Sequence, residues 1–222
     1  PIGIIFATDL TDGVFDTTWS LFRDRLTWLR ETLFEIRKIY NVNWLVKAHP
    51  NDIKNNVITS TESEYKKICS NCDHIKLFPK EVTKGSIPTF INVAISNGSP
   101  TYEYPCFGIP VISTCQTPCS EFGCAMEFKS KEEYFFQLQN IEKLKKPNNQ
   151  QIESAKIYNF VDVKLAQIPV NLIPAYNKSS DLTKKEENFF WVEMTKLLDQ
   201  YKYEEDLLKK MMKIQVANND MH

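Results

Sequence analysis

The chain has 222 residues, 42% of them hydrophobic and 25% charged, which suffices for one good core, and its formal charge is −1. Lysine pairs such as Lys145-Lys146 and Lys184-Lys185 are interspersed with acids, so no broad basic surface is expected and nucleic acid is not expected as a partner. No apolar run approaches the roughly 20 residues that cross a bilayer, and no basic-then-apolar leader opens the chain, which points to a cytoplasmic protein.

Ile2 to Phe6 is a continuous apolar run, the pattern of a strand covered on both faces in a parallel sheet. It starts abruptly behind Pro1, as a chain cut at a domain boundary would. From Trp19 to Tyr40 apolar residues recur at helical spacing, with Phe22, Leu26, Leu29, Leu33 and Ile36 on one stripe. Asn43 to Lys47 reads as a second strand, Ser60 to Cys72 as a helix and His74 to Phe78 as a third strand. A short helix over Ser86 to Phe90, a strand over Asn92 to Ser96, a helix over Pro100 to Phe107 stopped by Gly108, and a strand over Pro110 to Ser113 complete the pattern. This alternation predicts an α/β fold, a Rossmann-like doubly wound parallel sheet, over residues 1–146. Residues 147–222 are expected to form a mainly helical C-terminal extension packing on it, with helices at 149–166 and 186–213 and an irregular connection at 168–180.

Cys69 and Cys72 have x2 spacing, and Cys115, Cys119 and Cys124 fall in one loop, but the second group lacks zinc-knuckle spacing. Reduced thiols and no metal are therefore expected.

In an open parallel sheet ligands bind beyond the carboxyl ends of the strands. Three polar segments occupy such places: Thr8 to Asp16, Lys47 to Asp52 and Asn97 to Glu103. In the last, Asn97-Gly98-Ser99 leads into a helix with Pro100 in its first turn. Free amides there, with the hydroxyls of Ser99 and Thr101, would make a phosphate site, and Glu103 would reach ribose hydroxyls; Ser99 could equally be a simple cap. His49, ahead of Pro50, could donate to a phosphate oxygen and offset charge on a departing nucleotide, or serve only the turn. Of the first-loop carboxylates, Asp16 suits a helix cap, whereas Asp12 could orient an acceptor hydroxyl. His74 reads as structural. No GxGxxG, Walker, GxSxG or zinc-protease motif occurs, which removes the main support for kinase, dehydrogenase, serine hydrolase and metalloprotease readings.

Taken in order, Ile5-Phe6 through Asp12, Leu21-Phe22, Trp28-Leu29 with Thr32, Asn43 to Pro50, Ser96 to Glu103, Gly108 to Ile112, Ser130 to Tyr134 and Leu138 to Ile141 resemble the C-terminal domain of capsule-polysaccharide biosynthesis proteins. The resemblance covers about the first two-thirds of the chain. It implies the C-terminal, donor-binding half of a GT-B glycosyltransferase, with a nucleotide sugar and a glycan acceptor as substrates and no metal or other cofactor. By that resemblance His49 would contact donor phosphate, Ser99 and Thr101 would bind phosphate from the helix start, and Glu103 would bind ribose; the residues themselves add Asn97 and Gly98 as candidates in the phosphate turn and Asp12 as a candidate for the acceptor. An N-terminal GT-B domain absent from this chain would complete the site, and peripheral association with polysaccharide assembly at the inner face of the membrane is compatible with that role. Thr8 departs from the family by standing where a first-loop histidine is expected, and Thr114 to Cys119 replaces a more glycine-rich segment. A CDP-glycerol-type polyol-phosphate transferase, a hydrolysing sugar-nucleotide 2-epimerase and a non-catalytic scaffold are the alternatives.

Overall fold

The structure, a computed structural model, describes residues 1–10, 19–54, 59–79, 82 and 84–165. The chain divides into two compact units, Pro1–Ala166 and Gln167–His222. The helix expected over 186–213 and the connection at 168–180 lie outside the described residues, whereas the segment from 149 belongs to the first unit.

That unit is a Rossmann-like α/β domain. Its strands β1 (Ile2–Phe6), β2 (Asn43–Lys47), β3 (Ile75–Leu77), β4 (Val93–Ser96), β5 (Val111–Ser113) and β6 (Met126–Glu127) form one sheet in the order β3-β2-β1-β4-β5-β6. Every pairing is parallel. The order reverses between β1 and β4, which makes the crevice beyond their carboxyl ends the place for a ligand.

Period-two alternation sends neighbouring strand residues to opposite faces. Ile5, Trp44, Val46, Ile95 and Ile112 pack into one core, under helices α1 (Arg25–Ile36), α3 (Thr61–Cys69) and α5 (Lys131–Gln139). Ile4, Phe6, Ala94 and Val111 face the other core with Phe78, Ile87 and Tyr104. Gly3 lets β1 and β2 lie together: a Cβ at that position would sit 2.5 Å from the buried Trp44 ring.

The helix predicted from Trp19 begins later, at Arg25, because Asp24 caps it by accepting from the Thr27 amide at 2.6 Å. Ahead of it Ser20 forms an isolated antiparallel bridge with Cys115 and residues 21–24 bend into the helix: Leu21 N donates to Thr114 O at 2.8 Å, and Gln116 N to Trp19 O at 3.1 Å. The helix predicted over Pro100 to Phe107 is interrupted, α4 covering Pro100–Glu103 and a 3-10 turn Pro105–Phe107. Pro105 has no amide to continue the ladder. Gly108 then ends the turn with φ 71°, as its stop role requires. β6, two residues long, is a strand that the sequence pattern did not reveal. α6 (Asn149–Phe160) carries Ala155 into a small cluster with Cys119 and Cys124.

Candidate functional site

The crevice predicted by the strand order contains a cleft of about 300 Å³. Ala7, Thr8 and Asp9 continue from β1, Lys47 to Pro50 leave β2, Ser96 to Pro100 leave β4, and Arg25 opens α1. Three segments far apart in sequence are thus joined beyond adjacent strand ends, including His49 and the Asn97-Gly98-Ser99 turn.

The wall contributed by β1 and β2 is held by polar bonds. Asp9 accepts from Asn51 Nδ2 at 3.0 Å through its carboxylate, and from Arg25 through its backbone carbonyl at 3.1 Å. His49 Nδ1 accepts from the Asn51 amide at 3.2 Å, which places the proton of the neutral imidazole on Nε2 and makes that nitrogen the donor. His49 O in turn accepts from Asp52 N at 3.1 Å, starting the single turn α2 (Asn51–Lys54). The turn after His49-Pro50 therefore orients the ring as well as ending the strand.

On the β4 side the expected phosphate turn is present with a different division of labour. Asn97 lines the cleft but spends its amide on β5: Oδ1 accepts from Thr114 N at 2.8 Å and from Ser113 Oγ at 3.1 Å, while Nδ2 donates to Thr114 Oγ1 at 2.9 Å. It clamps the turn to the next strand. The Gly98 amide donates to Ser96 Oγ at 3.2 Å. Ser99 has helical φ and ψ and makes no side-chain capping bond. Thr101 is fully buried, its hydroxyl donating to Gly98 O at 2.7 Å, and so supports the turn from behind. Glu103 closes α4, outside the cleft lining. Asp12, expected near an acceptor, lies outside the described residues.

Because α4 is a single turn and the Gly98 and Thr101 amides are engaged, helix-start amides supply little of the positive potential. The cations of the lining are Arg25 and Lys47, set against the single carboxylate of Asp9. Neither was singled out in the sequence, although Lys47 lies two residues before His49 at the end of a legible strand. Lys47 also stands over the Phe78 ring at 5.3 Å. That contact leads into a second hollow of about 200 Å³ with apolar walls from Val46, Leu77 and Phe78, sharing the Lys47 to Pro50 wall with the first.

His74 lies at the other end of β3 from the cleft, its Nε2 bonded with Ile36 O at 3.2 Å and its ring 4.7 Å from that of Tyr40, a structural placement. All six cysteines are free thiols, and burial pushes Cys69 up to about 12. Among the described residues no three His, Cys, Asp or Glu side chains gather as a metal site, and no helix is long and apolar enough to cross a membrane. No protein-family model matches the chain, and no curated protein matches it.

Proposed function

We propose that this chain is the donor-binding part of a metal-independent GT-B glycosyltransferase that transfers a sugar from a nucleotide-activated donor to a bacterial capsule or surface polysaccharide. The observation that carries the reading is the meeting of Arg25, Lys47, His49 and the Asn97-Gly98-Ser99 turn in one cleft at the switch point of a parallel sheet. A phosphate placed there faces two fixed cations and the Nε2–H of His49. Those groups act where negative charge develops as the nucleotide departs, in a cleft walled by protein rather than bulk water. The hollow beyond Lys47 offers the donor's heterocycle apolar walls from Val46, Leu77 and Phe78, with Glu62 also in its lining. Each hollow is at or below the ~300–1,000 Å³ span of whole-ligand pockets, so a nucleotide would use both. The acceptor hydroxyl would be activated from the first loop, by Asp12, or from an N-terminal domain facing the cleft. On this reading the enzyme would work in the cytoplasm, at the inner face of the membrane where such polymers are assembled.

Calorimetric titration with CMP, CDP, UDP and GDP tests this. Selective binding of one nucleotide, weakened about tenfold or more in His49→Ala, supports the reading. Competition by CDP-glycerol would point to polyol-phosphate transfer. Release of free sugar from a nucleotide sugar without acceptor would point to the epimerase. Absence of any nucleotide binding would leave the scaffold.

A further inference from the structure

Folded proteins rarely leave a buried hydroxyl without a partner, since desolvating it without a hydrogen bond costs stability. Among the described residues five buried side-chain polar atoms lack a partner, and of these Thr8 Oγ1 alone belongs to a residue lining the cleft. Thr8 is 8% exposed. The pairing of β1 with β2 runs on through Ala7, whose amide donates to Lys47 O at 3.0 Å, and Thr8 is the first residue past it. It stands at the reversal of strand order, between the β2 edge with Lys47 and His49 and the β4 edge with Gly98 and Ser99.

We propose that Thr8 is a ligand contact of this cleft, its hydroxyl donating to a phosphate-type oxygen; this rests on the nucleotide-binding reading above and adds a residue and an anion class to it. Lys47, Arg25 and the Nε2–H of His49 around the same space favour an acceptor of negative charge over a neutral sugar hydroxyl. A tetrahedral phosphate directs oxygens toward the floor and both walls at once. A carboxylate, with two oxygens in one plane, reaches fewer of them. The Thr8 hydroxyl has no protein hydrogen bond to give up in meeting such an oxygen. A valine there keeps the shape and removes the orphan group, which separates ligand binding from folding.

The test is calorimetric titration of the wild-type chain, Thr8→Val and Thr8→Ser with pyrophosphate and with CMP, CDP, UDP and GDP, alongside thermal melts without ligand. The expected result is near wild-type affinity in Thr8→Ser, about tenfold weaker binding in Thr8→Val, and a ligand-free Thr8→Val that melts no lower than wild type. Unchanged affinity in Thr8→Val would overturn the proposal while leaving the nucleotide cleft standing. A lowered ligand-free melting temperature would overturn it too, by showing that the hydroxyl already has a structural partner. Failure of the wild-type chain to bind any of these ligands would remove both the proposal and the function it rests on.

Discussion

Asn97 and Thr101 show how a side chain beside a cleft can serve the backbone rather than a ligand. Asn97 joins the end of β4 to Ser113 and Thr114 through both ends of its amide. Asn97→Ala therefore strips the buried Thr114 amide of its acceptor and should lower stability by about 2 kcal/mol. Asn97→Asp keeps the acceptor and should lose less. Denaturant midpoints of the two variants check this, and an unchanged midpoint for Asn97→Ala would refute the clamp. The sequence indicated the turn, because small polar residues between an apolar strand and a proline-started helix leave few other conformations. It did not indicate which side chains face the cleft. Thr101 turns inward because its hydroxyl caps the Gly98 carbonyl three residues back, a direction set by the turn's own geometry. Arg25 went unremarked, and Lys47 was noted only as the start of a polar segment, because each is an ordinary surface cation until strands from distant segments bring them together.

Between elements, the close approach of β1 to β2 and the α1–α3 contact are the points where single changes should tell most. At Gly3 an added methyl group meets a Trp44 side chain that is 1% exposed and has no room to retreat. Gly3→Ala should lower stability by roughly 1–3 kcal/mol, measured by urea unfolding. Between α1 and α3, Arg30 grips the buried Glu64 with bonds of 2.6 and 3.1 Å, and Lys67 adds a third at 2.7 Å. The Arg30 hydrogen bonds, foremost, hold the Glu64 carboxyl below its ordinary range. A carboxyl more acidic folded than unfolded contributes stability above its unfolded pKa, and that contribution is lost as pH falls through the folded value. Wild-type stability should therefore drop more than that of Glu64→Gln as the pH is lowered from 6 to about 3. Parallel curves for the two proteins would contradict this.

The same division between local and distant determinants accounts for which elements were legible. β1 and β2 follow the bounds of their apolar runs because both faces of a central parallel strand are covered. α1 starts six residues later than its apolar stripe suggests, because the residues ahead of it pair with the segment after β5. β6 carries two residues, too few to leave any periodicity.

For the molecule as a whole, the central claim is that one anionic ligand bridges the ends of β1, β2 and β4. The parallel α/β sheet was legible from alternation, and with it the end of the sheet where a ligand should sit, whereas the order β3-β2-β1-β4-β5-β6 emerges only from the fold. Which nucleotide and which acceptor follow from pocket shape and from groups beyond this cleft, and no sequence period encodes those. The opposite end of the sheet supplies an internal control. There Phe34, Arg37, Lys38, Tyr40 and His74 line an open surface hollow, also with cationic and aromatic residues but far from the strands' carboxyl ends. The measurement that tests the claim most directly is amide chemical-shift mapping of the chain during titration with the nucleotide it binds best. Shifts are expected to concentrate at Ala7 to Asp9, Lys47 to Asn51 and Ser96 to Thr101, with little change from Phe34 to Tyr40 or at His74. Shifts gathered around Phe34 to Tyr40 and His74, with the three strand ends unmoved, would contradict it.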